Sequence, residues 1–162
     1  MISVVWGMIG AVCGIVWLGI EMVAGMHTAG YSHATTILWV VIPILTVVGA
    51  EIHGRRAATE PYPYLKALTT GVTAGATLLG IDLLVWFIFT QMIEPDFFSM
   101  MVKYAIDKAR LAGAPPNAVL QQAAAASVIF KGIGSFLLIT TIVTGAVALT
   151  TSALAAIVAR KK

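Results

Sequence analysis

Apolar positions in this chain come in long runs. They are too long for strands and too continuous for the one-sided stripe of a helix at a water interface. Four runs stand out, over about residues 2–24, 36–52, 64–93 and 127–159. A helix needs about 20 apolar residues to cross roughly 30 Å of hydrocarbon. The pattern therefore predicts an all-α integral membrane protein, a single membrane domain over 1–162 with four transmembrane helices. Pro43 falls inside the second run and is expected to kink it, because it lacks an N–H and crowds the preceding turn.

The stretch between the third and fourth runs follows a different pattern. Over about 95–126, Phe97, Met101, Tyr104 and Leu111 recur at helical spacing, with Ser99, Lys103, Asp107 and Arg110 on the opposite side. Pro95-Asp96 opens this amphipathic segment, and Gly113 followed by Pro115-Pro116 stops it. A second short helix, NAVLQQAAAASV, leads into the fourth run. The expectation is an amphipathic extracytoplasmic helical hairpin on the outer membrane surface or capping the bundle, serving as an interfacial anchor or as a docking site for a partner.

Composition sharpens the membrane reading. Hydrophobic residues make up 59% and charged residues 10%, where a soluble domain carries about 25% charged. Bilayer is the solvent that suits such a chain. The net charge of +3 does not point to nucleic acid, because the basic residues sit at the ends of apolar runs. Arg55, Arg56 and Lys66 flank the second and third runs, and Arg160, Lys161 and Lys162 end the fourth. The positive-inside rule puts both groups, and hence both termini, in the cytoplasm. Lys103, Lys108, Arg110 and Lys131 then lie outside. No basic segment precedes the first run, which is read as a span and not as a cleaved signal peptide. Tyr62 and Tyr64 suit a belt at headgroup level.

Two segments resemble each other. GAVCGIVWLGIE at 10–21 and GVTAGATLLGID at 71–82 share two glycines, a leucine, a further glycine and an isoleucine, and both end in an acid. The third run would then repeat the first in the same direction, as in a duplicated helical hairpin. At about 100° per residue, Gly10, Gly14 and Glu21 fall on one stripe, and Gly71, Gly75 and Asp82 on another. Such glycine faces pack helices closely, so both acids should point at protein. An acid in hydrocarbon needs a partner, a proton or a cavity. Glu21 and Asp82 are the candidate site residues. They either face each other and share a proton or cation, are satisfied separately, or contact another subunit. Thr69, Thr73 and Thr77 fall on the far side of the third run, with hydroxyls free to bond their own helix.

Other candidates read as structural. Cys13 reads as a small packing residue. His27 and His33 lie near Glu21 but match no metal spacing. Glu51, His53, Arg55 and Arg56 read as a solvated helix end, with Arg55 and Arg56 the pair an anionic lipid headgroup would meet. Trp6, Trp17, Trp39 and Trp86 are scattered and form no cofactor box. No catalytic motif is present, and no metal, cofactor or enzymatic activity is expected.

The order of GAEIHGRR ending the second run, PYLKALTTG opening the third, PDF at 95–97, Tyr104 and GAPP at 113–116 resembles a bacterial membrane family known only as domain of unknown function four-one-nine-nine. The resemblance covers about 49–116, with the first run matching by hydropathy alone. ATEPYP and NAV depart from the family pattern. The resemblance implies a four-helix protein of the bacterial inner membrane and transfers no catalytic or binding residue.

Glycine faces, an outer hairpin and little soluble mass lead first to a non-enzymatic accessory or scaffold subunit of a larger membrane assembly. Its partners would be the lipid bilayer and other membrane subunits, or further copies of the chain. The alternative is a small proton- or cation-coupled transporter built on Glu21 and Asp82.

Overall fold

The computed structural model describes residues 1–25 and 32–159, with the side chains of the second stretch described from residue 37. Six α-helices carry nearly all of it: α1 (Ile2–Val23), α2 (Ser32–Ala57), α3 (Tyr64–Ile88), α4 (Phe97–Leu111), α5 (Pro116–Ile129) and α6 (Ile133–Ala159). One π-helical turn, Phe89–Ile93, prolongs α3. The four spans are Ile2–Val23, Ile37–Ala57, Tyr64–Ile93 and Ile133–Ala159, each with mean hydropathy near 2. The protein is an all-α, multi-pass membrane protein.

Two boundaries differ from the sequence reading. The second helix runs on to Ala57, past the charged cluster. The fourth span starts at Ile133, and residues 127–129 belong to α5. Gly132 and Gly134 weaken helix propensity at that joint, and Lys131 is a poor residue to draw into hydrocarbon. Pro43 is buried within α2 and does not end it.

Each spanning helix has one stripe of small residues turned inward. Gly7, Gly10, Ala11, Gly14, Leu18 and Glu21 are buried on α1, and Ala67, Gly71, Ala74, Gly75, Leu78, Asp82 and Trp86 on α3. Val12, Ile15, Val16 and Ile20 lie on the outer side of α1 and are exposed, as lipid-facing residues must be. Cys13 is exposed among them, so it is not the packing residue expected from its small size. In cross-section α1 packs on α2 and α3, and α6 packs on the same two helices. α2 and α3 meet across the short diagonal, whereas α1 and α6 share no comparable contact.

The two sequence-matched segments behave alike at matched positions. Gly10 and Gly71 are both pressed against neighbouring helices, by Thr46 in one case and by Glu51 and Ser152 in the other. Gly14 meets Asp82 and Trp39, and Gly75 meets Ala148. Gly19 and Gly80, the third matched pair, face open space. Along α1, Gly7 lies by Ala74 and Thr77 while Gly14 lies by Asp82, so α1 and α3 run parallel. The α2–α3 diagonal breaks any strict twofold relation between the halves. Thr77 bonds back to the Thr73 carbonyl at 2.9 Å, yet its side chain abuts Gly7 and so faces α1.

The end of the bundle at the α2–α3 loop is tied by aromatic residues. Trp6 occupies the space left at Gly49 and donates from Nε1 to Nδ1 of His53 at 3.1 Å. Tyr62 is 2% exposed and donates to Thr70 Oγ1 at 2.8 Å beside Gly54. It folds into the bundle instead of joining a headgroup belt, because Gly54 leaves room for its phenol and Thr70 satisfies it.

At the other end, α4 and α5 pair as a hairpin. Gly113, at φ 70°, makes the turn. Its N–H bonds Arg110 O and the next N–H bonds Ala109 O, both at 3.0 Å, which satisfies the last carbonyls of α4. Pro116 starts α5 at a position where no N–H is needed. The hairpin holds the bundle mainly through Phe97, which is 3% exposed, while Leu111 at the far end of α4 is 79% exposed.

Candidate functional site

Asp82 and Glu21 line the same cavity. It has a volume of about 300 Å³ and lies at the hairpin end of the bundle, between the four spanning helices and the start of α4. The sequence nominated both acids, and the bundle brings both to one cavity. α1 and α3 run parallel with Gly14 level with Asp82, so Glu21, seven residues further along α1, lies about 10 Å nearer the hairpin. Each is at least nine-tenths buried, at 1% exposure for Glu21 and 7% for Asp82.

The two acids have different surroundings. Glu21 Oε2 receives a hydrogen bond from Trp39 Nε1 at 3.4 Å. Asp82 has no hydrogen-bond or ion-pair partner among the described residues. Its Oδ1 lies 3.3 Å from where a Cβ on Gly14 would stand, so glycine there admits the carboxylate to the space beside α1.

The rest of the wall is aromatic and aliphatic. Trp39, Trp86, Phe97, Phe130 and Phe136 line it, together with Met101 and the α6 residues Thr140 and Thr144. Trp86 is the centre of the aromatic group, with ring centroids 4.9 Å from Phe136, 5.3 Å from Trp39, 5.5 Å from Phe97 and 5.6 Å from Phe89. The π-helical turn contributes here. It buries Phe89 and Thr90 together, at 1% exposure each, and Thr90 Oγ1 bonds back to Trp86 O at 2.8 Å. Periodicity places Trp39 and Trp86 on different helices and gives no sign that they touch. The cluster needs α6 and the hairpin to bring Phe136, Phe130 and Phe97 to the same point.

Glu51 corrects a sequence expectation. It is fully buried and not part of a solvated helix end. Ser152 Oγ lies 2.7 Å from Glu51 Oε1 and 3.0 Å from Leu68 O, so one hydroxyl joins α6, α2 and α3. Gly71 leaves the space in which this group sits. Glu51 Oε2 has no partner among the described residues. The following basic residues made Glu51 read as a surface charge, but Thr46, Val47, Ala50 and Glu51 share one buried face of α2. Arg55 and Arg56 line a groove of about 470 Å³ between α2 and α6, where Arg55 Nη1 donates to Val158 O at 3.3 Å. Among the described residues no three His, Cys, Asp or Glu cluster as a metal site. His27, the side chain of His33, and Arg160, Lys161 and Lys162 lie outside the described residues.

A family model described as "Protein of unknown function (DUF4199)" matches residues 5–161. The match takes in α1 and α6, well beyond the 49–116 stretch whose motifs carried the resemblance. No curated protein and no solved structure matches the chain.

Proposed function

The chain belongs to the DUF4199 family, and within it we propose that this protein is a small non-enzymatic membrane carrier that binds a cation or proton at Asp82 and Glu21. The observation that carries the reading is the shared cavity. Asp82 is more than nine-tenths buried, has no partner among the described residues, and lines a space that also holds Glu21. An anion in such a place is costly unless something neutralises it. A site that exchanges one neutralising species for another is the minimal machinery of coupled transport. The accessory-subunit reading drew on glycine faces, and Gly10, Gly14, Gly71 and Gly75 all meet this chain's own side chains. Those faces are occupied within the fold, which favours a self-contained carrier.

The carrier resides in the bacterial inner membrane with both termini in the cytoplasm. The Arg55-Arg56 loop then faces inward and the α4–α5 hairpin outward, so the cavity opens toward the outer half of the membrane. The test is flux in proteoliposomes, read with a pH-sensitive dye and a membrane-potential dye. Wild type should move protons or cations down an imposed gradient, and Asp82→Asn should reduce the rate at least about tenfold, as expected for loss of a buried charge partner. Glu21→Gln should reduce it less, because Trp39 already donates to Glu21. Equal flux in wild type and both variants would remove the proposal.

A further inference from the structure

The geometry points to a monovalent organic cation, of quaternary-ammonium or aromatic-ammonium type, as the occupant of the Asp82 cavity. This rests on the reading of Asp82 as a cation site and adds the class of cation. Metal cations with hard character take six or more oxygen ligands in a tight shell. Here the two carboxylates and the hydroxyls of Thr140 and Thr144 are the oxygen-bearing side chains on the wall. The remaining surface belongs largely to Trp39, Trp86, Phe97, Phe130 and Phe136. Aromatic rings attract cations through the negative face of the π-system, and an aromatic wall is the usual recognition of alkylated ammonium groups. An apolar body also suits such a wall, which an inorganic ion would leave unfilled.

The Trp39 N–H engages Glu21, which leaves Asp82 to face the ligand. Size gives a further constraint. The cavity has a volume of about 300 Å³, the lower end of the range for small-molecule sites. That fits a small amine with one ring or several alkyl groups. Phe97 and Met101 of α4 and Phe130 at the α5–α6 joint form the side of the cavity nearest the hairpin, so ligand entry involves the hairpin.

The probe is benzyltrimethylammonium, with neopentylbenzene as its uncharged isostere. Binding is measured on the full chain in nanodiscs by calorimetry and by tryptophan fluorescence. Saturable binding of the charged probe is expected, with the isostere bound at least about tenfold more weakly. Asp82→Asn should weaken the charged probe at least about tenfold, and Phe97→Leu by about threefold or more through loss of one ring. Because Asp82→Asn could fail to fold, the wild-type chain supplies a second readout, in which the charged probe should protect Asp82 from a hydrophobic carbodiimide. Protection by sodium, with none from benzyltrimethylammonium, would overturn the organic-cation assignment and leave the carrier proposal standing. No Asp82-dependent binding of any cation would overturn both.

Discussion

Gly71→Leu is expected to lower the stability of the detergent-solubilised protein by at least about 3 kcal/mol, with Gly80→Leu leaving it unchanged. The two glycines lie on the same helix and differ in what surrounds them. A Cβ at Gly71 would run into Glu51 Oε1 and Ser152 Oγ, while nothing lies within 4 Å of one at Gly80. Overpacking a tight contact typically costs about 1–3 kcal/mol. Here the leucine also displaces the Ser152 hydroxyl from Glu51 and Leu68, and each buried polar group left without a partner adds about 1–3 kcal/mol. Three helices meet at this point, so α2, α3 and α6 should separate together. Thermal unfolding followed by circular dichroism, with both leucine variants beside wild type, makes the comparison. Equal melting temperatures for the two variants would show that Gly71 does not hold this junction.

The second large effect is at Trp86. Trp86→Ala should cost about 3–5 kcal/mol and release the α4–α5 hairpin from the bundle. Trp86 is 6% exposed and contacts Phe97, the residue by which α4 is anchored. It also packs on Trp39 of α2, Phe89 of the π-helical turn and Phe136 of α6. Removing the indole therefore opens a large hole at the centre of the aromatic cluster. α4 has few other attachments, as the exposure of Leu111 and of the Arg110–Asp107 pair illustrates. Hydrogen exchange should accelerate across 97–111 before it does in α1 or α2. Exchange that stayed slow in α4 would mean the hairpin is held by contacts other than this cluster.

Much of the bundle can be read from the chain because hydrocarbon imposes a simple rule. A spanning helix must satisfy its backbone internally and face lipid with apolar side chains, so length and hydropathy alone mark the four spans. The glycine stripes are legible for a related reason, since only small residues allow close backbone approach. Gly10, Gly14, Gly71 and Gly75 mark helix contacts before any coordinates exist. The inward turn of Glu21 and Asp82 follows from sharing those stripes.

The rest depends on facts with no local signature. Glu51 sits just before His53, Arg55 and Arg56, and sequence proximity to charge suggests solvent. Its burial depends on Ser152, which is 101 positions away. Tyr62 looks like an interfacial residue until Gly54 and Thr70 are seen beside it. The aromatic wall draws on α2, α3, α4 and α6, and each aromatic taken alone resembles an ordinary membrane aromatic. Only the packing order of the helices joins them. Cys13 shows the opposite error: small size suggested packing, but its angular position on α1 turns it toward lipid.

The most direct measurement is a disulfide test of where Asp82 points. In a Cys13→Ser background, Gly14→Cys is paired with Asp82→Cys, and Gly19→Cys with Gly80→Cys serves as the control. A Cβ at Gly14 would lie 3.3 Å from Asp82 Oδ1, so side chains at 14 and 82 reach into the same space, as a disulfide between them requires. Gly19 and Gly80 face open space. An intramolecular bond in native membranes is predicted for the first pair and none for the second. An unbridged first pair, with the positions at 14 and 82 each labelled freely by a lipid-soluble maleimide, would place Asp82 against lipid and contradict the inward-facing cavity.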